Sequence, residues 1–195
     1  MTKVGITGGI GVGKSLIAAM VEALGYPVYY ADNEAKRLMT DLPSLKNELT
    51  ALLGQEAFAD NTLNRIFIAK AIFENTELLE KTNALVHPAV KADFERWAEK
   101  NQAYPLLFLE SALIYEARLQ NTLDEVICVT APLPIRVKRV MLRDACTEEA
   151  VLKRVAAQKK EEEETARKAG FIIRNDNQTP ITPQLETILA KLKSC

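Results

Sequence analysis

Residues Gly8-Gly9-Ile10-Gly11-Val12-Gly13-Lys14-Ser15 match the pattern G-x-x-x-x-G-K-[ST], a spacing whose chemistry is the binding of a polyphosphate. The glycines let backbone N–H groups turn inward around an anion, and a helix starting where the loop ends adds partial positive charge. Lys14 is then placed to reach the β- and γ-phosphates, and the Ser15 hydroxyl to bind Mg²⁺. Such a loop needs a strand before it and a helix after it. Lys3-Val4-Gly5-Ile6-Thr7 is a short apolar run that suits a buried strand. From Ser15 to Leu24 the apolar residues Leu16, Ala19, Met20, Ala23 and Leu24 follow helical spacing, with Gly25 placed to close the helix. The pattern implies a bound nucleoside triphosphate.

Phosphoryl transfer also needs a carboxylate beside the acceptor and cations for the developing charge. Asp32 follows the run Val28-Tyr29-Tyr30-Ala31, at the strand end where ligands of open α/β sheets bind. It suits an acceptor base, and equally the N-cap of a helix beginning at Asn33; the two roles are compatible. Glu110 ends a third apolar run in the same manner. Three roles stay open for it: ligand of a metal-bound water, second acceptor-side carboxylate, or cap of the following turn. Arg136, Arg139 and Arg143, at offsets of three and four, share one helical face within Pro134–Asp144. Arginines on a mobile lid can clamp a transferring phosphoryl group while excluding water; solubility or pairing with glutamates is the plainer alternative.

The elements that would carry these residues alternate. Apolar runs recur at Val28-Tyr29-Tyr30, Leu106-Leu107-Phe108-Leu109, Val126–Val129 and Phe171-Ile172-Ile173. With the first strand they predict a five-stranded parallel sheet of the α/β class. Residues 1–31, 105–135 and 169–195 form the expected nucleotide-binding core, 32–104 a helical insertion and 136–168 a helical lid. The insertion is punctuated into helices over Asn33–Thr40, Ser44–Leu53 (closed by Gly54), a third capped by Thr62 with Ile66, Ala69, Ile72 and Phe73 on one face, Thr76–Val86, and a last one starting at Pro88. Insertions at this place in nucleotide-binding sheets commonly hold the acceptor, which is an analogy of fold. Thr147 starts a further helix through Arg154 to Gln158, after which Lys159-Lys160 and Glu161–Glu164 read as a solvated charge block.

Composition narrows the classes. The 195 residues carry a net charge of −1, with no basic excess to neutralise a nucleic acid. No apolar run approaches membrane-spanning length and the N-terminus leads straight into the first strand, so the expectation is a cytoplasmic protein without a signal peptide. Cys128, Cys146 and Cys195 lack a C-x-x-C pairing, and His87 is the one histidine; a multi-histidine metal site is excluded and the expected metal is Mg²⁺ arriving with the nucleotide. Cys128 reads as a small buried hydrophobe.

Nearly end to end, the chain resembles the dephospho-coenzyme A kinases. The likeness rests on Gly5–Ser15, Pro27–Asp32, Leu63-Asn64-Arg65, Phe73, His87-Pro88, Pro105–Glu110, Arg136–Asp144, Gln158 and Phe171–Asn175. It implies transfer of the ATP γ-phosphoryl group to the ribose 3′-hydroxyl of dephospho-coenzyme A; the expected assembly is a monomer or weak homo-oligomer. By resemblance, Asp32 acts as acceptor base and the insertion binds the acceptor, with Arg65 and His87 at motif positions. Arg139 and Arg143 match lid arginines, and Asn175 falls where the loop after the last strand meets adenine. His87 has the competing role of capping the helix headed by Pro88. Two positions depart from the family: Tyr30 replaces the first aspartate of Asp-Ala-Asp, and Ala169-Gly170 replaces Ala-Asp. The nearest rival is another small-molecule P-loop kinase, for a nucleoside monophosphate or a sugar. A GTPase-type switch would carry Asn-Lys-x-Asp and Asp-x-x-Gly, and neither occurs.

Overall fold

A computed structural model describes residues 1–59, 62–73 and 75–193. Cys195 lies outside the described residues, as do the side chains of Phe73, Lys159, Lys160 and Glu161. The five apolar runs become β1 (Thr2–Thr7), β2 (Val28–Tyr30), β5 (Leu106–Glu110), β6 (Glu125–Thr130) and β7 (Phe171–Arg174), joined in the order β2-β5-β1-β6-β7. β1 runs parallel to β5 and to β6, and β6 to β7. Every residue of β5 is buried, as is the stretch Val126–Val129 of β6. That is why both read as unbroken apolar runs: parallel strands are covered on both faces.

The described chain divides into two units, one of residues 1–29 and 98–195, the other of residues 30–97. The first holds the sheet with α1 (Lys14–Ala23), α6 (Leu133–Asp144), α7 (Glu148–Lys168) and α8 (Ile181–Lys193). Residues 136–168 cluster with this unit. Thr147 Oγ1 accepts the Ala150 N–H at 3.3 Å and caps α7, as expected, but α7 runs on through the charge block to Lys168. No strong breaker interrupts that block, and lysines and glutamates are good helix formers. None of the helices, among the described residues, is long and apolar enough to cross a membrane.

The second unit contains α2 (Ala31–Asp41), α3 (Pro43–Leu53), a small antiparallel pair β3 (Phe58–Ala59) and β4 (Thr62–Leu63), α4 (Arg65–Phe73) and most of α5 (Thr76–Lys100). Three expectations need correction. Thr62 lies in β4, and Asn64 caps α4, its Oδ1 accepting the Phe67 N–H at 3.2 Å. Asp32 is not a cap, because α2 starts at Ala31 with Tyr30 at its N-cap. Nor does a helix begin at Pro88: α5 is continuous through it.

Proline in a helix interior removes a hydrogen bond and crowds the preceding turn. The compensation lies on one face, where Val86, Val90 and Phe94 recur every fourth residue and are all buried, and Phe94 stacks on Trp97 with ring centroids 6.0 Å apart. Arg37 of α2 adds an ion pair to Asp93 of α5 at 2.8 Å. Packing therefore outweighs local propensity here. Pro88→Ala restores the missing donor and is expected to raise stability, by up to about 3 kcal/mol. Thermal and denaturant unfolding measure it, and a less stable variant would mean that α5 is shaped around the proline.

Candidate active site

The loop between β1 and α1 owes its shape to glycine at two points. Gly8 has φ +139°, and a Cβ there would lie 2.3 Å from the Val129 carbonyl oxygen. Gly13, the N-cap of α1, has φ +96°, and a Cβ would lie 2.3 Å from Asn175 Nδ2. No other residue fits either position without displacing backbone or a brace. Lys14 folds back over the loop, its Nζ donating to the carbonyls of Gly8 at 3.0 Å and Gly9 at 3.2 Å. Ser15 is exposed in the first turn of α1.

Three neighbouring segments hold this loop from outside. From α6, Arg136 Nε donates to the Ile10 carbonyl at 2.9 Å, and Arg139 Nη1 approaches the carbonyls of Gly11 and Val12 at 3.5 and 3.4 Å. From α7, Gln158 Oε1 accepts the Ile10 N–H at 2.9 Å, while Glu162 pairs with Arg136 at 2.6 Å. From the turn after β7, Asn175 Nδ2 donates to the Val12 carbonyl at 2.8 Å, and Asn175 Oδ1 accepts from Arg139 Nη2 at 3.0 Å. Both ends of the Asn175 amide are thus used in bracing. Asn177 Oδ1 also accepts from Arg139 Nη2, at 2.6 Å.

Arg143 is gripped by its neighbour Asp144 through two hydrogen bonds, at 2.7 and 3.1 Å, and its side chain is 64% exposed. Glu110 is buried and sits in register with Ile6 of β1; the cap of the next turn is Ser111, whose Oγ accepts the Leu113 N–H at 3.1 Å. Asp32, Arg65 and His87 belong to the second unit. Asp32 is exposed in the first turn of α2, where the helix dipole favours a carboxylate. Arg65 opens α4, also exposed. His87 is half-buried inside α5, so it caps nothing, and burial lowers its pKa and favours the neutral imidazole.

Cys128 is buried in β6. Burial, with the charge of Glu162, pushes its thiol up to about 11 against the opposing pull of Lys14. It stays protonated and inert at neutral pH.

The Dephospho-CoA kinase family model matches residues 2–180. The chain belongs to the dephospho-CoA kinase family. A dephospho-CoA kinase of Bacteroides fragilis is 35% identical over 190 residues, covering 97% of this chain and 92% of the relative. One from Porphyromonas gingivalis is 34% identical and covers 100% and 96%. The crystal structure of TT1252 from Thermus thermophilus superposes with a TM-score of 0.82 at 35% identity, covering 99% and 96% of the two chains. The activity of the family is that of a kinase, which makes ATP the phosphoryl donor and gives the glycine loop its chemical purpose.

Against the family pattern, Gly170 has a local reason. A Cβ at 170 would lie 2.3 Å from Glu125 Oε2, so an aspartate there would meet a like charge. The loop braces Gln158 and Glu162 were not among the expected site residues. Their signal was present: with Thr165 they recur at i, i+4 and i+7 of α7, one face of a helix that the charge block disguised.

Asp144 accepts from Arg143 and, at 2.8 Å, from Arg154 of α7. The Arg143 hydrogen bond first, then the charges of both arginines, hold its carboxyl down to about 2. A depressed folded pKa stabilises the fold above the ordinary aspartate range, and that contribution is lost as pH falls through about 2. A carboxyl-detected NMR titration is therefore expected to give a midpoint near 2, and Arg143→Ala to raise it more than Arg154→Ala does. The reverse order would contradict the assignment.

Proposed function

We propose that this chain transfers the γ-phosphoryl group of ATP to the ribose 3′-hydroxyl of dephospho-coenzyme A, giving coenzyme A and ADP. The observation that carries the reading is the Gly8–Ser15 loop, with Lys14 and a braced backbone, in a chain matched by the Dephospho-CoA kinase model over residues 2–180. The phosphates lie in the loop, drawing the Lys14 ammonium away from the Gly8 and Gly9 carbonyls. Arg139, anchored beside Gly11 and Val12, adds positive charge where the transferring group passes. Asn175 serves the nucleotide site through its hold on Val12 and Arg139. Arg143 joins when the exposed part of the lid segment 136–168 closes over the nucleotide, exchanging Asp144 for phosphate, while Arg136, Gln158 and Glu162 stay on the loop.

Mg²⁺ fits the residues present. The Ser15 hydroxyl is exposed at the start of α1 and makes no hydrogen bond among the described residues. No group of three or more His, Cys, Asp or Glu suited to a metal occurs among them. A hard oxygen from Ser15 with phosphate oxygens and water is the usual donor set for this ion. When bound, it neutralises charge on the β- and γ-phosphates.

The second unit takes the acceptor, with Arg65 and His87 in contact with it. His87, neutral through burial, can donate or accept one hydrogen bond without competing for a phosphate. Asp32 orients the 3′-hydroxyl and accepts its proton late in the transfer. Glu110, in register with Ile6 of β1, serves as a second acceptor-side carboxylate. The protein acts in the cytoplasm as a monomer or weak homo-oligomer.

An ATP-consumption assay against dephospho-coenzyme A, adenylate, cytidylate, gluconate and shikimate tests the reading. Turnover is expected with dephospho-coenzyme A, and preference for any other acceptor would overturn it. With that acceptor, Asp32→Asn keeps size and most hydrogen bonding but loses basicity. It is expected to reduce kcat by roughly 10²–10⁴ while leaving ATP affinity little changed. Near-normal kcat would remove Asp32 from the chemistry and make Glu110 the leading base.

A further inference from the structure

We propose that Arg136, aligned by Glu162 and assisted by Gln158, is a positioning residue that holds the phosphate loop ready for nucleotide by gripping Ile10. The inference rests on the reading that Gly8–Ser15 binds the ATP phosphates. Both backbone polar groups of Ile10 are taken by side chains from outside the loop: its carbonyl by Arg136 Nε and its N–H by Gln158 Oε1, each at 2.9 Å. These two bonds fix the peptide planes on either side of Ile10, immediately before the residues that cradle phosphate. The Ile10 side chain is held too, against Val137, Val140 and Val151 of α6 and α7. Gly11 lets the loop press on α6, where a Cβ would lie 2.8 Å from the Arg136 carbonyl oxygen.

Arg136 is buried, with a side chain only 6% exposed, and its Nη1 bonds Glu162 at 2.6 Å. Its Nη2 is enclosed without a partner among the described residues. An ion pair whose arginine is buried with one donor unpaired is a poor device for stability alone, since apolar residues of similar volume serve as well. It is a good device for orientation. The rigid guanidinium fork holds a carboxylate with one nitrogen and so aims another at the Ile10 carbonyl.

The test compares the wild-type chain with R136M, Q158L and the double variant R136Q/E162Q. ATP affinity is read by calorimetry, and KM for each substrate and kcat are read from turnover. R136M and Q158L are each expected to weaken ATP binding and raise its KM by about tenfold, the worth of one such hydrogen bond. KM for dephospho-coenzyme A is expected to stay unchanged. R136Q/E162Q should recover most of the loss, because the glutamine amide nitrogen lies as many bonds from Cα as Nε does. It can remake the bond to Ile10 without leaving a carboxylate unpaired. Folded R136M with wild-type ATP affinity would overturn the proposal, as would a double variant no better than R136M. If R136M does not fold, Q158L decides by the same affinity. A wild-type chain that binds no ATP would instead sink the proposed function, and this inference with it.

Discussion

A loop made largely of glycine cannot hold its own shape, and the rest of the first unit answers that constraint. Glycine is required at positions 8 and 13 because the backbone there is left-handed or pressed against its neighbours. The same freedom lets the unbraced loop wander. Side chains from α6, α7 and the turn after β7 supply what the loop lacks, binding the carbonyls of Ile10 and Val12 and the N–H of Ile10. Donors aligned before the reaction cost no reorganisation during it, which is how electrostatic stabilisation becomes large.

The three arginines of α6 differ in how far they are committed to the loop. Arg136 is enclosed and committed to Ile10 and Glu162. Arg139 stands between, held by Asn175 and Asn177 yet close to the loop carbonyls. Arg143 is outermost and paired with Asp144, an exposed pair of the kind that exchanges readily with solvent or a better anion. The regular offset of these residues along α6 thus conceals a gradient from enclosed to exposed.

Much of this was legible in the sequence because it follows short-range rules. The five strands announced themselves as apolar runs, since a parallel sheet buries both faces. The phosphate loop was legible from spacing alone, and the Thr147 cap from residue type. What escaped depended on contacts across the chain. α5 runs through Pro88 because Val86, Val90 and Phe94 pack on one face, against the rule that proline starts a helix rather than continuing it. The acidic run after Gln158 resembled solvated surface, yet Glu162 finds Arg136 twenty-six residues earlier. Asn64 took the cap expected of Thr62 because β3 and β4 pair locally and draw Thr62 into a strand.

The bonds to Ile10 and Val12 order the phosphate loop before nucleotide arrives. Backbone ¹⁵N relaxation of the nucleotide-free chain tests this most directly, at the amides of Ile10 to Lys14. Order parameters near those of rigid backbone, about 0.85, are expected, changing little when ADP is added. Values below about 0.6 without nucleotide, rising only on binding, would contradict it and make the ligand the source of the loop's order.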